Sequence, residues 1–583
     1  MKRLLKSWKT ASADQGKKVK PNYWDYSTWG VEKYGYTVDI NPVAVPYAFA
    51  VSRECIIDVE NYKDGRFAGL GVAVPDCKIL LYFTDVELAH KYFPKGVLVG
   101  HVLRTDIHKL KQWGFDIDEA VTHYDTALIE HLQDSTKKKY GLKELAKTKF
   151  GIEYPSYEKI VGDGDFDTVP VDVAANYNGM DLIATYELFK VQNGHLKETA
   201  IYSKLLWPLG RVLTDMEERG LKLDLDHLRR LEQSLSAQSA EIKAKIQNEL
   251  GDINLSSPKQ LLEALHAKGI NPKFKGKAST DKRGMQSLKG NAVVDQLLKF
   301  SELDTLLSSF VTPYLEIKAE VINPRFGQMA TRTGRLGCYA PNLQQVPTHT
   351  ENGKKLKQAF VARSCHKLVE IDYSAIEPRM LAHFSKSKNL CELFNSGVNF
   401  HDYTRDRLKI DRQAAKVLNL STGYRATKYG LAYQLKCSVE EAEKQLNDWW
   451  ALWPDLYLWE ELLINKTKQL GYVSTLYGRK IYIDKLDSSD RKERQTAERR
   501  VIENLAQGST SDLIGLAMVE LYKQDLSIIN QVHDSLVFEF PENKVDEYIK
   551  KACTIMTEVL VLEVPIEVSA KVGRSWGDMH EVS

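Results

Sequence analysis

The chain of 583 residues has no CxxC pair anywhere along it. Its seven cysteines (Cys55, Cys77, Cys338, Cys365, Cys391, Cys437 and Cys553) stand far apart. That spacing argues against a zinc ribbon or a disulfide framework and for free thiols in a reducing compartment. No apolar run approaches the ~18 residues that cross a bilayer, so no membrane partner is expected. The start, MKRLLKSWKTASADQGKKVK, is basic but lacks the apolar core of a signal peptide. It reads as a solvated basic arm over residues 1–20. An excess of one charge sign is missing too. The formal net charge of +2 neither demands nor excludes nucleic acid, because a balanced total can hide a basic groove. No internal repeat or extended low-complexity segment is visible.

What is present is the composition of well-cored soluble domains, 43% hydrophobic and 27% charged. Residues 47–130 alternate short apolar runs (ECIIDVE, GLGVAV, KILLYF, GVLVGH) with helical stretches, which is α/β patterning. From about residue 200 long amphipathic helices take over, such as LDHLRRLEQSLSAQSAEIKAKIQNEL. A Lys- and Gly-rich loop, KGINPKFKGKASTDKRG, follows. Beyond about 320 strands and helices mix, with a helix-dense block over 402–470.

Two carboxylates carry the first chemical argument. In QVHDSLVFE (531–539) a His-Asp pair sits between apolar runs that read as strands, which alone suits a plain β-turn as well as a site. In KLVEIDYSAIEPRM (367–380) an apolar strand, Leu368 to Ile371, delivers Asp372, and a helix is expected near Glu377-Pro378. If the two strands are neighbours, Asp372 and Asp534 can share two Mg²⁺ ions, hard cations that suit carboxylates plus substrate phosphates. In DRQAAKVLNLSTGYRATKYGLA (411–432), Arg412, Lys416, Leu420 and Tyr424 recur every fourth residue and predict one stripe along a helix. Two cations followed by flatter side chains suit a nucleoside triphosphate. Either cation alone would equally be a solvated helix end.

These segments resemble family A DNA polymerases, the bacterial polymerase I and phage replicase group. DYSAIEPR is similar to the family's DYSQIELR, RQAAKVLNLSTGY to its R-x3-K-x3-F/Y-x3-Y-G helix, and QVHDSLVFE to its QVHDELVFE. TRTGRLGCYAPNLQQVP, GYVSTLYGRK and ERRVIENLAQGSTSDLIGLAM also match, in family order. The resemblance implies that Asp372 and Asp534 hold the metals with the Tyr373 carbonyl. It puts Lys416 and Arg412 on the triphosphate, His401 near it, Glu377 closing the sugar pocket, and Tyr424 beside the templating base. Arg335, Gln507 and His533 would lie along the primer end and its minor groove. Lys273, Lys275, Lys277 and Lys282 would track duplex phosphates. Departures are Leu420 for Phe or Tyr, Arg425 for Gly, Ser535 for Glu, and Glu503 for Asn with Asn504 displaced by one. Arg425 is expected to touch the template strand or to change how the helix closes. The connection from His401 to Arg412 is also short for the family.

The front half carries a second acidic set. In IIDVENY, Asp58 and Glu60 share one face of a strand; LVGHVLRTDIHKL supplies Asp106, and YNGMD places Tyr177 and Asp181 four apart on a helix. Four acids and a tyrosine make a two-metal hydrolytic site in which Tyr177 orients the attacking water. The set resembles a DEDD-type 3′–5′ proofreading exonuclease; Val102 stands where an Asn is usual, so weakened activity is expected.

The resemblance implies a multidomain α/β and α+β chain, a ribonuclease H-like exonuclease domain (21–196) followed by a right-hand polymerase. Its thumb would be 197–320, its palm 321–401 and 499–583, and its fingers 402–498. No stretch ahead of residue 20 would house a 5′-nuclease. Mg²⁺, with Mn²⁺ as substitute, would fill two positions in each site. Primer-template DNA and dNTPs would be the partners, with helicase, primase and single-strand binding protein as replisome neighbours. A monomer in the bacterial cytoplasm, host- or phage-encoded, is expected, with an organelle as the alternative. The rival readings are a nuclease whose polymerase half only clamps DNA, a non-catalytic primer-template binder, and an RNA polymerase. Glu377 argues against the last, and the intact acids argue against the others.

Overall fold

The computed structural model describes residues 22–118, 121–192, 194–274, 276–348 and 350–582. The basic arm 1–20 and Lys275 lie outside these described residues. The chain divides into two compact units, one of residues 1–210 with 477–482 and one of residues 211–476 with 483–583.

The first unit is organised on six strands: β1 (Thr37–Ile40), β2 (Glu54–Asn61), β3 (Phe67–Ala73), β4 (Ile79–Phe83), β5 (Val97–Gly100) and β6 (Tyr124–Asp125). Their spatial order is β1-β4-β3-β2-β5-β6. β2, β3 and β4 form an antiparallel meander. β1, β5 and β6 add in parallel to β4, β2 and β5. The apolar runs that signalled strands supply the core: Cys55, Ile57, Leu70 and Val72 are all buried in one cluster. Helices α1 (Leu103–Gln112), α2 (Leu142–Phe150) and α3 (Val171–Val191) complete what the site needs. α3 lies across β1 to β5. Every residue from Val173 to Tyr186 is buried, so the helix carries small and polar residues inward as well as apolar ones. Gly71 makes room for it. A Cβ there would come within 1.7 Å of Asn178 Oδ1, and Gly71 is the direct partner of Asp58 across the sheet.

The second unit begins with long packed helices, among them α4 (Leu225–Leu250) and α5 (Ala292–Leu306). Asp224 starts α4 by accepting the His227 amide at 2.8 Å, an ordinary N-cap. Between them lies the basic loop, where Lys273, Lys277 and Lys282 are exposed. A five-stranded antiparallel sheet follows: β7 (His366–Tyr373), β8 (Ile528–Val532), β9 (Ser535–Pro541), β10 (Val568–Gly573) and β11 (His580–Val582). Its order is β8-β9-β7-β10-β11. β7 and β9 are neighbours, with Leu368, Val369 and Ile371 buried beneath them. Between β7 and β8 the chain makes a long helical excursion. It runs through α6 (Ile376–Ser385), α7 (Phe400–Leu408), α8 (Arg412–Thr422), α9 (Lys428–Leu435), α10 (Val439–Leu452), α11 (Pro454–Leu470) and α12 (Arg491–Lys523), and α13 (Val545–Glu558) follows β9. α12 packs on α6 and α11, and α13 on α12 and the sheet.

The predicted stripe needs one correction. Regular helix in α8 stops at Thr422, so Tyr424 lies in the closing turn and not on a continuing helix. The Arg425 amide donates to the Thr422 carbonyl and the Ala426 amide to the Ser421 carbonyl. This paired pattern is a Schellman ending, with Arg425 at its left-handed position, φ +55°. Glycine is the easy residue there.

Candidate active sites

In the first unit, period-two geometry points Asp58 and Glu60 of β2 the same way, and α3 faces them with Tyr177, Asn178 and Asp181. One carboxylate oxygen each from Asp58, Glu60 and Asp181 lie within 4.8 Å of one another. Burial lifts the carboxyls of Asp58 and Glu60 well above the usual range, and repulsion from Asp181 adds to it. Asp106, in the first turn of α1, is raised by burial and then by Asp58, Asp125 and Asp181. The helix itself is aimed by Asp125, whose Oδ1 accepts the Val102 amide at 3.1 Å. Val102 has φ +60°; a β-branched residue is strained in this region, whereas the Asn usual here tolerates it.

Three residues that the sequence did not flag complete the cluster. Lys143, from α2, donates to the Tyr177 hydroxyl at 2.9 Å and lies 3.2 Å from Asp181 Oδ1. Its ammonium also sits 4.6 Å from the ring centre of Tyr154 and 4.5 Å from that of Tyr177. Tyr154 donates to Asp181 Oδ1 at 2.5 Å, and Asn178 Nδ2 to Asp58 Oδ2 at 2.7 Å. Asn178 was discoverable, being next to Tyr177. Lys143 was not: in LKELA it reads as one more exposed helix cation.

In the second unit, Asp372 of β7 stands directly opposite Ser535 of β9. Asp534 is the second residue of a two-residue turn whose first, His533, is exposed with φ +53°. The Tyr373 amide donates to the Asp534 carbonyl at 3.2 Å and fastens the turn to the strand. The Tyr373 side chain is buried, its hydroxyl on the Met556 carbonyl at 3.0 Å. Asp372 is exposed at the strand end, yet desolvation by the surrounding protein, then Asp534 and Glu370, push its carboxyl up to about 6. Asp534 is raised by burial too, against the pull of Arg335 and His533. Its Oδ1 is buried and makes no hydrogen bond.

Beside this pair, Glu377 is held from two sides. Arg335 Nη2 lies 2.5 Å from Glu377 Oε1 and 3.8 Å from Asp534 Oδ1. The Tyr424 hydroxyl donates to Glu377 Oε2. Gln507 on α12 reaches Glu503 Oε1 at 3.3 Å, and the Glu503 charge acts on both Glu377 and Tyr424. Arg412, Lys416 and Leu420 all face outward on α8. Arg412 Nε donates to Asp402 Oδ1 at 3.0 Å. His401 lies 3.0 Å from Asn419 Nδ2, and burial, then Lys416 and Arg412, lower its pKa. Arg425, expected at the template, is turned inward: its Nε donates to Glu460 Oε2 at 2.7 Å and its Nη2 pairs with Glu461. Its left-handed backbone and the Glu460 carboxylate, fully buried on α11, account for that direction.

Both clusters suit a divalent cation. Their donors are oxygens alone, which favours hard ions. In the first, carboxylates crowd together and the half-buried Lys143 ammonium pairs with Asp181. In the second, a buried carboxylate oxygen of Asp534 has no hydrogen bond, Arg335 being 3.8 Å away. A bound cation would relieve both situations.

Comparison with known proteins agrees with this geometry. The family described as DNA polymerase family A matches residues 225–578, and that described as 3′-5′ exonuclease matches 52–193. The chain is similar to DNA polymerase I of Borreliella burgdorferi, 30% identical over 515 residues, covering 83% of this chain and 56% of that protein. It is also similar to DNA polymerase I of Bacillus subtilis, 30% identical over 544 residues, covering 86% of this chain and 62% of that protein. The chain thus spans little more than half the length of these relatives. Among solved structures it is similar to the POL domain of Pol1 from M. smegmatis in complex with DNA primer-template and dNTP. The TM-score is 0.79 at 27% identity, over 91% of this chain and 97% of that one.

Proposed function

The chain belongs to DNA polymerase family A, and from that premise we propose that it extends a DNA primer with dNTPs on a DNA template and trims the primer 3′ end. The observation that carries the reading is the strand pair holding Asp372 opposite Ser535, with Asp534 beside it and one buried Asp534 oxygen without a hydrogen bond.

In extension, Asp372, Asp534 and the Tyr373 carbonyl would hold Mg²⁺, with Mn²⁺ as substitute. Bound there, the ions supply charge neutralisation for the attacking 3′-oxygen and the leaving pyrophosphate. The primer 3′-hydroxyl gives its proton to water as its oxygen attacks the α-phosphorus, and the bond from that phosphorus to the α–β bridging oxygen breaks. Lys416 gives a proton to the pyrophosphate, while the Arg412 fork holds the outer phosphates and releases Asp402 to do so. His401 keeps a neutral ring beside them. Glu377, braced by Arg335 and Tyr424, walls the sugar pocket against a 2′-hydroxyl. Tyr424 turns toward the templating base when it leaves Glu377. His533 and Gln507 face the primer end, and Lys273 with its neighbours follows duplex phosphates.

In trimming, Asp58, Glu60, Asp106 and Asp181 would hold the second ion pair. Tyr177 orients the attacking water, and Lys143 orients Tyr177. Val102 removes the amide that would grip the DNA end, so trimming is slow. We assign trimming to residues 21–196 and extension to 197–583, in a bacterial cytoplasm.

The test is extension of a labelled primer on a longer template with Mg²⁺ and dNTPs, parent beside Asp534→Ala. Extension by the parent alone supports the reading. Trimming without extension in both would favour the rival in which the second unit only clamps DNA.

A further inference from the structure

We infer that Glu370 is the third acid of the extension site, replacing from the strand the charge that family resemblance places at position 535; this rests on the polymerase reading above. Ser535 stands where that Glu is expected, and its hydroxyl has turned toward another acid. Ser535 Oγ lies 3.2 Å from Glu370 Oε1 and 2.9 Å from the Val532 carbonyl. Glu370 and Asp372 alternate along β7, so they share one face of the sheet. Ser535 is the direct cross-strand partner of Asp372 on that face. The acid and the hydroxyl are therefore exchanged across one strand pair: the carboxylate comes from β7 and the small hydroxyl from the hairpin.

The competing use of Glu370 is as counter-ion to Lys357, whose Nζ lies 3.8 Å from Glu370 Oε2. That distance is an ion pair without a hydrogen bond. Lys357 also has a second partner, the Trp576 ring, 4.0 Å from Nζ to its centre. Lys571 lies across from Glu370 on β10. The Oε1 that faces Ser535 is not the oxygen nearest Lys357, so one carboxylate can serve both neighbours. Its charge reaches Asp372, where it adds to the repulsion that a bound cation relieves. Glu370 is accordingly a positioning residue. It strengthens the field at the metal position and, through Ser535, fixes the hairpin that carries Asp534.

The experiment uses the full chain carrying Asp58→Ala and Asp181→Ala, so that Mn²⁺ bound in the complex with primer-template reports the extension site. Mn²⁺ binding is followed by electron paramagnetic resonance, without turnover. Glu370→Gln should weaken binding about three- to tenfold, the effect of one charge several ångströms from a divalent ion in a partly wet site. Adding Ser535→Glu should recover it to within about twofold, since that returns the charge to the hairpin. Unchanged binding in Glu370→Gln overturns the inference. So does a loss that Ser535→Glu fails to recover while melting falls as it does in Lys357→Met, which would make Glu370 a counter-ion only. If Asp534→Ala extends primers normally, the polymerase reading itself fails. If it does not, and Glu370→Gln binds Mn²⁺ as the parent does, only the role of Glu370 fails.

Discussion

The two acidic clusters solve the same electrostatic problem in opposite ways. In the first unit, Asp58, Glu60 and Asp181 are packed against a helix buried on every side, and a lysine is set among them. In the second, two aspartates sit at a strand end and a turn, and the nearest cation, Arg335, is 3.8 Å away and shared with Glu377. The first cluster is held together by protein charge as well as by any ion. The second leaves a buried Asp534 oxygen without a hydrogen bond, and a bound ion would supply more of its charge balance.

Removing a metal-holding acid should break the comparison most severely. Asp372→Ala or Asp534→Ala should reduce extension by on the order of 10²–10³ or more, comparable with losing a dedicated charge-stabilising group. Trimming in the absence of dNTPs should persist in both. Asp58→Ala should do the reverse. Gel assays of one labelled primer, with and without dNTPs, read both.

Lys143→Met sharpens the contrast. Trimming should fall about tenfold or more as Tyr177 loses its donor. The Mg²⁺ needed for half-maximal trimming should fall as well, because a cation has left the cluster. Extension should not change. A trimming rate equal to the parent's at every Mg²⁺ concentration would contradict the role given to Lys143.

Arg425→Gly separates stability from chemistry. It relieves a left-handed arginine, a gain of about 1 kcal/mol. It also strands Glu460, a fully buried carboxylate that burial already pushes up to about 8. Where Glu460 is ionised, above about pH 8, breaking such a pair costs about 3–5 kcal/mol, so a net loss of about 2–4 kcal/mol is expected there. Glu460 can protonate, so the loss should grow with pH and shrink toward pH 6. Adding Glu460→Gln should restore most of the lost melting temperature.

The smallest effect is linkage. Asp372 is pushed up to about 6, and Asp58, Glu60 and Asp106 are raised also. Each holds a proton in the folded chain that the unfolded chain has already released. Stability of the metal-free protein should therefore fall as pH rises from the ordinary carboxylate range through these raised values. Mg²⁺ should raise the melting temperature more at pH 8 than at pH 5.5, as calorimetry with and without chelator would record.

Much of this was legible in the chain because it is written locally. Alternation in ECIIDVEN exposes a strand with two acids on one face, and the apolar run from Leu368 to Ile371 exposes a strand that ends in Asp372. The pairing of β7 with β9 was only a condition of the two-carboxylate argument, and the structure supplies it. The stripe on α8 was legible up to Thr422, but its end was not, since Arg425 hid the glycine that normally marks a helix stop. Lys143, Tyr154 and Glu370 were invisible for another reason. Each is an ordinary residue in its own segment and acquires its role only from a partner more than 25 residues away in sequence. Tyr424 was expected on the stripe but lies in the turn that closes α8, and its contact with Glu377 joins two segments that no local pattern links.

The measurement that bears most directly on this account is a matched assay of the parent, Asp534→Ala and Asp58→Ala on one labelled primer-template, each with and without dNTPs. The account predicts opposite losses: Asp534→Ala trims without extending, and Asp58→Ala extends without trimming. Extension that survives Asp534→Ala, or a single substitution that removes both activities from a folded protein, would contradict it.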